Sequence, residues 1–363
     1  MNNDTLKRVR IVGFKSIRTC DVHLGRTNVL IGSNGAGKSN FVSVFAFLHD
    51  VLAKELQVSV AKSGVNALLY GGRKATDKIS LEFDFGQNGY GISLVPTDDG
   101  SLVIHNEYLK CNGLWENKDI VTRISRESRL ERRFGDKNDR LAQSVLAHQN
   151  WRVYHFHDTG RDSRIKQEHL LANNTALASD ASNLAAFLLM LREAYPRNYQ
   201  RVVATVRLAA PFFSDFVLIP NAANGDYITL RWRQAGSEDV LGASQFSDGT
   251  LRFACLAALL LQPPELQPPT IIVDEPELGL HPYAIGLLAD MIRGLPESKQ
   301  AIVSTQSVEL LNEFDAEDVV VVDRDASGSK FSRLDEDSLS SWIEDYSLGE
   351  LWKMNLIGGR LSR

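Results

Sequence analysis

The chain has 363 residues, of which 44% are apolar and 23% are charged. This composition is sufficient for a large buried core, and the length allows two or three domains. The formal net charge of −5 excludes a basic field over the whole surface, so that any contact with nucleic acid must be local.

Cysteine usage and hydropathy indicate the compartment. The three cysteines, Cys20, Cys111 and Cys255, lie far apart without metal-ligand spacing, as expected for reduced thiols. The first residues lack the apolar stretch of a secretion signal, and the longest apolar runs (184–191 and 253–261) are far shorter than the roughly 20 residues that cross a bilayer. We therefore expect a soluble, cytoplasmic protein with no membrane partner.

The first part of the chain alternates between strand and helix patterns. Residues 7–31 have the alternation of two strands joined by a polar turn, and a glycine-rich segment then leads into a helix over residues 39–56. Residues 79–110 predict three strands separated by Gly, Asn and Asp turns. Residues 119–149 are charged with helical spacing, and residues 151–158 predict another strand.

The remaining elements continue the same mixture. Most of 164–210 is predicted to be helical, with Pro196 ending the clearest helix. Two strands follow over 216–233, a helix begins near Ser247, and three more strands precede a helical C-terminal tail. Strand patterns at both ends of the chain indicate one discontinuous α/β domain with inserted material between its parts.

A phosphate-binding motif lies between the first strands and the first helix. The segment GSNGAGKS fits G-x-x-x-x-G-K-[ST] in the required strand–loop–helix context. Its glycines let backbone N–H groups surround phosphates at the positive end of the helix. Lys38 is expected to bridge the β- and γ-phosphates, and the Ser39 hydroxyl to ligate Mg²⁺. The predicted nucleotide-binding residues are Gly32, Ser33, Asn34, Gly35, Ala36, Gly37, Lys38, Ser39 and Asn40.

An acidic pair ends a predicted buried strand at residues 271–276. Beside the phosphate loop, Asp274 would join the Mg²⁺ shell, and Glu275 would orient and deprotonate the attacking water. Such a pair alone is weak evidence, but its combination with the loop at Lys38 is strong evidence. A second acidic residue next to the first favours hydrolysis over simple nucleotide storage. The long interval between Lys38 and Asp274 separates the chain from small GTPases and nucleoside kinases, which have far shorter intervals.

A helix capped by Ser247 is predicted shortly before the acidic strand, in the segment FSDGTLRF. This segment resembles the LSGGQ-type signature of ABC ATPases, in the SDGT variant of the RecF/SMC/OLD-like group. The C-terminal tail (340–360) is similar to the ending of stand-alone bacterial AAA-family ATPases of that group, which lack a nuclease domain. The resemblance implies an ABC-type head with mixed parallel and antiparallel sheets and a helical insertion, with ATP and Mg²⁺ as cofactors. It also implies that Ser247 and Gly249 contact the ATP held by a partner chain.

Three further segments resemble the same group. DEPELGLHP (274–282) is similar to the acidic pair plus the D-loop, which would place His281 at the partner head. AIVSTQS (301–307) is similar to the switch strand, with Gln306 in place of the usual histidine; a glutamine can donate a hydrogen bond but cannot carry a proton. The segment GFKS implies that Lys15 lies near the nucleotide. Too few residues follow the switch for a nuclease domain, so an effector is expected to act in trans.

The predicted domain organisation has three parts. Residues 1–118 form the N-terminal part of the head, 119–240 a mostly helical insertion, and 241–363 the C-terminal part with a helical tail. Basic residues of the insertion recur at helical spacing, and we interpret them either as a solvated face with local ion pairs or as a DNA-backbone surface. Those at helical spacing are Arg126, Arg129, Arg133, Lys137 and Arg140, while Arg123, Arg132, Arg161, Arg164 and Lys166 add charge nearby.

The expected function is ATP hydrolysis by a homodimer that closes head-to-head on ATP, in genome maintenance or anti-phage defence with a separate effector such as a nuclease. DNA is a second candidate partner. Two alternatives remain open: a nucleotide-gated scaffold with little turnover, because of Gln306, and a transporter's nucleotide-binding subunit, which the SDGT variant disfavours. His155 and His157 could hold a metal, although packing is the more common role of such a pair.

Overall fold

A computed structural model describes residues 5–111, 113–116, 124–130, 151–335, 339, 342 and 345–359. The chain forms two compact units. The first comprises Met1–Val153, Pro268–Ile272 and Glu297–Arg363, and the second comprises Tyr154–Gln267 and Val273–Pro296. The domain boundaries predicted after residues 118 and 240 do not coincide with these units and stay a prediction.

The elements of the described residues are as follows. The strands are β1 (Arg8–Phe14), β2 (Ile17–His23), β3 (Thr27–Ile31), β4 (Ile79–Asp84), β5 (Gly89–Pro96), β6 (Leu102–Cys111), β7 (Leu114–Glu116), β8 (Val153–Tyr154), β9 (Glu168–Leu170), β10 (Phe213–Phe216), β11 (Tyr227–Thr229), β12 (Arg231–Gln234), β13 (Val240–Gly242), β14 (Thr270–Asp274), β15 (Gln300–Thr305), β16 (Val319–Asp325) and β17 (Gly328–Arg333). The helices are α1 (Lys38–Leu52), α2 (Leu56–Ser63), α3 (Val65–Leu68), α4 (Leu184–Ala194), α5 (Pro196–Ala209), α6 (Asp248–Leu261), α7 (Pro282–Arg293), α8 (Val308–Leu311) and α9 (Leu348–Lys353).

Two larger sheets organise the strands. One is antiparallel, in the order β2-β1-β4-β5-β6-β7, and confirms the three strands predicted within 79–110. The other, here called the core sheet, has the order β17-β16-β3-β15-β14-β8. In the core sheet β3 runs parallel to both β15 and β16. The mixed α/β fold with parallel and antiparallel sheets is therefore confirmed.

Helix α1 lies in the main core of the first unit. Its apolar residues recur at intervals of three and four, so that one broad face can be buried. Phe45, from this face, packs its ring 5.9 Å from that of Phe83 on β4 and 5.2 Å from that of Trp151. Because α1 is anchored in this cluster, its first turn holds the phosphate loop against a rigid support.

The strand pattern predicted over residues 7–31 was wrong in one respect. The structure has three strands there, because the second predicted strand breaks at Gly25. The Asn28 side chain accepts a hydrogen bond from Gly25 N and donates one to Gly25 O, which stabilises a turn. The turn sends β3 into the core sheet while β1 and β2 pair in the antiparallel sheet.

The prediction that the basic residues lie on one face of a helix is also wrong for the described residues 124–129. Residues 124–129 are not helical, because long-range hydrogen bonds hold them in an irregular path. Ser125 bridges Ile104, and the Glu127 carboxylate accepts from the N–H groups of Leu56 and Gln57 at the start of α2. Of the basic residues predicted at 123–140, only Arg126 and Arg129 are within the described residues.

The second unit combines helices with short strands. Pro196 follows the end of α4, as predicted, and it also begins α5, because proline is tolerated in the first turn of a helix. The strands form a three-stranded sheet, β10-β12-β13, and a β9-β11 pair, so this region contains more strand than the predicted, mostly helical insertion. No helix in the described part of the chain has the length and apolar character needed to cross a membrane.

Helix α2 offers a matched test of this packing. Val60 is 3% exposed in the main core, whereas Val58 on the same helix is 50% exposed. We expect Val60→Ala to lower the free energy of unfolding by about 2 kcal/mol through lost burial and a residual cavity. Val58→Ala should change it by less than about 0.5 kcal/mol. Urea unfolding measures both, and equal effects would contradict the orientation of α2.

Candidate nucleotide-binding site

The predicted phosphate loop connects the buried strand β3 to α1. A Cβ atom added to Gly32 would lie 2.2 Å from the Val322 carbonyl oxygen, and one added to Gly37 would lie 2.1 Å from the Ser329 hydroxyl. At Gly35, in contrast, an added Cβ would meet nothing within 4 Å. The loop backbone therefore packs against β16 and β17 on one side and is open at Gly35. Only glycine satisfies the close approaches at Gly32 and Gly37.

The loop and the start of α1 present positive charge and backbone donors. Lys38 is buried, and its Nζ donates to the carbonyl oxygens of Gly32 (2.7 Å) and Ser33 (3.2 Å). The Arg324 guanidinium donates to Gly35 O (3.1 Å). No side chain caps the first N–H groups of α1, which begins at Lys38. Uncapped N–H groups at a helix start bind anions, so the loop fits a phosphate group.

An open cavity of about 890 Å³ lies next to this loop, and its lining includes Arg324, which bonds to Gly35. Its lining carries four cationic side chains, Lys15, Arg73, Lys74 and Arg324, and no acidic one. Sequence reasoning had identified only Lys15 and Asn40 among the lining residues. Arg73 and Lys74 follow two glycines, and this GGRK segment is the sequence feature from which these two lining residues could have been predicted. The charge of the cavity suits an anionic ligand.

Lys15 lies in the turn between β1 and β2 with a positive φ of 48°. Its Nζ donates to the Ser43 hydroxyl of α1 (2.8 Å), and burial lowers the pKa of the Lys15 amine. The adjacent Ser16 hydroxyl accepts from the Asn40 side chain (2.7 Å) and pairs with the Ser329 hydroxyl (2.8 Å). These bonds connect the β1–β2 turn to the first turns of α1 and to β17.

Gln306, the predicted switch residue, immediately follows β15. The parallel register pairs Thr305 with Ile31, so Gln306 is level with Gly32 at the start of the loop. Beyond it, the Ser307 hydroxyl accepts from Leu310 N (3.1 Å) and caps α8. The structure thus places the switch residue beside the phosphate loop within the first unit.

The acidic pair ends β14 and belongs to the second unit. The two predicted histidines lie beside it: His157 Nε2 is 3.0 Å from Asp274 O, and His155 Nδ1 is 3.8 Å from Asp274 Oδ2. Burial lowers the pKa of His155, and the Asp274 carboxylate partly opposes that shift. Glu275 has a positive φ of 44°, unusual outside glycine and common at functional sites.

Asp274 and Ser39 supply oxygen atoms, the donor type that Mg²⁺ prefers. The side chain of Asp274 remains 12% exposed, and Ser39 is exposed at the start of α1. Within the described residues no group of three or more His, Cys, Asp or Glu side chains could hold a metal by itself. The Ser39 hydroxyl in the first unit and the Asp274 carboxylate in the second each have the donor chemistry of a Mg²⁺ ligand, and their joint role stays a prediction.

The signature residues begin α6 in the second unit. The Ser247 hydroxyl accepts from Thr250 N (3.2 Å), which confirms the predicted N-cap. A Cβ on Gly249 would lie 2.4 Å from Gly279 O, so this glycine lets α6 lie against the segment after the acidic pair. His281 caps α7 through Nδ1, which accepts from Tyr283 N (3.2 Å).

Arg252 is a structural centre of the second unit that sequence reasoning missed. Its guanidinium donates to three backbone carbonyls, those of Leu278 (2.8 Å), His157 (2.9 Å) and Phe156 (3.2 Å). It thus connects α6 to the segment after Glu275 and to the strand end that carries the histidines. Arginine suits this role because its guanidinium donates in several directions at once.

Comparison with known proteins agrees with this architecture. The family model described as "AAA domain, putative AbiEii toxin, Type IV TA system" matches residues 27–312. Comparison with curated proteins gives no match. The crystal structure of the Smc head bound to the C-winged helix domain of ScpA is similar, with 17% identity and a TM-score of 0.61, over 93% of this chain and 99% of that chain.

A second Smc head domain, with an extended coiled coil and bound to the C-terminal domain of ScpA derived from Pyrococcus furiosus, has 16% identity and a TM-score of 0.59. This match covers 94% of this chain and 98% of that chain. At such identities the two structures show the fold alone. The chain therefore belongs to the AAA domain family whose model spans residues 27–312, and it has the fold of an Smc head.

Proposed function

We propose that the chain binds ATP and Mg²⁺ at its phosphate loop and hydrolyses the ATP within a head-to-head homodimer. The observation that carries this proposal is the geometry of residues 32–39. Glycine-only contacts at Gly32 and Gly37 fix the loop, while the uncapped start of α1 and the Lys38 amine offer donors to phosphate oxygens. The basic cavity beside the loop accommodates the rest of the nucleotide.

Each polar residue has a distinct proposed role. The N–H groups of residues 34–39 hold the phosphates, and Lys38 bridges the β- and γ-phosphates. Ser39 and Asp274 provide oxygen ligands for Mg²⁺, which when bound neutralises developing charge on the phosphate oxygens. Glu275 accepts the proton of the attacking water, and Gln306 donates a hydrogen bond to the γ-phosphate.

The dimer follows from the signature helix. Helix α6 has an N-terminus with Ser247 as its cap, which makes it a suitable anion ligand for a nucleotide bound to another chain. If each chain supplies both a phosphate loop and a signature, two identical sites require a two-fold axis. The proposed assembly is therefore a symmetric pair of heads around two ATP molecules.

The biological setting we propose is genome maintenance or anti-phage defence with a separate effector protein. The Smc heads of similar fold are bound to a domain of ScpA, which supports assembly of this head with a second protein. Direct DNA binding has less support. Arg126 pairs with Asp99 (2.9 Å), Arg164 with Asp180 (3.3 Å) and Lys166 with Asp248 (3.9 Å), which favours a solvated surface with local ion pairs.

A nucleotide-gated scaffold with little turnover is the second candidate, and Gln306 is the observation that favours it. Glutamine level with Gly32 can sense a γ-phosphate through a hydrogen bond but cannot relay a proton. The two candidates differ in their steady-state rate of ATP hydrolysis, which phosphate release measures directly.

Loss of the Lys38 amine tests the phosphate loop. We expect Lys38→Ala to reduce ATP hydrolysis by about 100-fold, because a charge that stabilises the transferring phosphoryl group is removed. Lys62→Ala, which removes an exposed amine from α2, is the control and should leave hydrolysis unchanged. Hydrolysis by Lys38→Ala at the rate of the control would contradict the proposed site.

The proposed general base is tested by an isosteric change. Glu275→Gln should lower hydrolysis by about 10²–10⁴-fold while ATP binding persists, because an amide cannot accept the proton of water. Glu265→Gln, at an exposed position of the same unit, is the matched control. Phosphate release and ATP binding are measured on the same preparations. Normal hydrolysis by Glu275→Gln would show that another group acts as the base.

A mixing experiment tests whether the site is shared between chains. Lys38→Ala and Ser247→Ala should each be inactive alone, but an equimolar mixture should recover about a quarter of wild-type hydrolysis. The reason is that about half of the dimers are mixed, and each mixed dimer has one intact site. If Lys38 and Ser247 acted on the same nucleotide within one chain, mixing would restore no activity.

A further inference from the structure

The C-terminal segment of residues 347–359 packs on the first unit by its own helix. Helix α9 begins with a capping box, in which the Ser347 hydroxyl accepts from Glu350 N and the Glu350 carboxylate accepts from Ser347 N. Leu348, Leu351 and Ile357 are buried at 8%, 0% and 9% exposure. They lie in a cluster with apolar residues of β3 and β16, namely Ile31, Val319 and Val321.

The same segment touches the helix that follows the switch residue. Gly349 N donates to the Asn312 side chain just after α8 (2.7 Å). A Cβ on Gly349 would lie 2.4 Å from a methyl group of Val308, the first residue of α8. Helix α9 therefore lies directly against α8, whose N-cap Ser307 is the residue after Gln306.

The far end of the segment reaches the phosphate loop. Gly359 O accepts a hydrogen bond from Ser33 N (2.7 Å), while Ser33 O accepts one from Lys38 Nζ (3.2 Å). Ser33 is thus held on its N–H side by the C-terminal segment and on its carbonyl side by the lysine of the loop. Gly358 and Gly359 both have positive φ, 80° and 78°, which turns the chain toward Ser33.

Little room surrounds this contact. A Cβ on Gly359 would lie 3.0 Å from a methyl group of Val321 and 3.2 Å from the Trp352 indole nitrogen. A side chain at this position would displace the Gly359 carbonyl from Ser33. The carbonyl position therefore depends on the packing of α9 and on a glycine.

We propose that residues 347–359 are a positioning segment that holds the phosphate loop in its binding geometry and connects it to the switch helix α8. The inference rests on the proposed function, because it concerns the same nucleotide. Gly359 is a positioning residue: its carbonyl contacts the loop through Ser33, on the opposite side from Lys38. A preorganised loop loses less conformational freedom when the nucleotide binds, so the segment strengthens nucleotide affinity.

Linkage makes this coupling reciprocal. If docking of the segment favours ATP binding, ATP binding must favour docking of the segment by the same factor. Added ATP should therefore slow backbone hydrogen exchange in residues 347–359 as well as in the loop.

Gly359→Ala tests the inference, with Gly100→Ala as the matched control. Gly100 has a φ of 78°, like Gly359, but an added Cβ there would meet nothing within 4 Å. Both alanines therefore incur similar backbone strain, and only Gly359→Ala disturbs the loop. Leu351→Ala is a second variant, which loosens the segment from its apolar cluster while leaving both glycines and the loop intact.

The measurements are hydrogen exchange at the Ser33 amide, affinity for a fluorescent ATP analogue, and the kinetics of ATP hydrolysis. For Gly359→Ala and Leu351→Ala we expect faster Ser33 exchange, about 10-fold weaker binding and a raised KM. The kcat should stay within about twofold, because the segment contacts no reacting atom. The Gly100→Ala control should match the wild type in each measurement.

The measurements distinguish failure of the proposed function from failure of the inference about residues 347–359. A wild-type chain that does not bind the analogue contradicts the proposed function and the inference with it. If the wild type binds the analogue and both variants have the wild-type affinity and KM, the inference alone is overturned. A fall in the kcat of the variants at unchanged KM overturns it as well.

Discussion

The site depends on one steric constraint, the contact of the phosphate-loop backbone with the β16–β17 pair. Neither Gly32 nor Gly37 leaves space for a Cβ atom, because the Val322 carbonyl and the Ser329 hydroxyl occupy it. The loop can follow this path only with glycine at both positions. Its other side, at Gly35, is open to a ligand. The same contact ties the loop to β16, against which residues 347–359 also pack.

Two residues with proposed roles are among the five non-glycine residues with positive φ in the described part of the chain, the others being Lys54, Ala181 and Asn355. Lys15 and Glu275 both have positive φ without being glycine, which costs on the order of 1–3 kcal/mol each. Such conformations persist only where the surroundings impose them. Lys15 is held by the bond from its N–H to Leu68 O (2.8 Å), and Glu275 directly follows the buried strand β14. The positive φ gives these two side chains a different direction from the one they would have in a regular strand.

The sequence predicted those structural features that are determined by neighbouring residues. The strand–loop–helix context of Lys38, the N-cap at Ser247 and the helix break at Pro196 are set by residues within one or two turns of each other, and the structure has all three. The antiparallel strands within 79–110 follow equally from local alternation and turn residues. The roles of the site residues stay predictions, because they depend on a ligand.

Features that depend on distant partners could not be predicted. The irregular path of residues 124–129 is imposed by bonds to α2 and β6, against a local pattern that favours a helix. The three carbonyls bound by Arg252 belong to two other segments of the chain. The bond from Ser33 to Gly359 joins residues at opposite ends of the sequence, and nothing near either residue indicates it.

In the proposed dimer, one chain holds the triphosphate and a second, identical chain completes the site. Sedimentation equilibrium of the wild-type chain with Mg²⁺ and a non-hydrolysable ATP analogue tests it most directly, because it reports mass and bound nucleotide together. We expect a monomer without nucleotide and, with nucleotide, a particle of two chains that contains two nucleotides. A chain that binds one nucleotide and remains a monomer at all concentrations would contradict it.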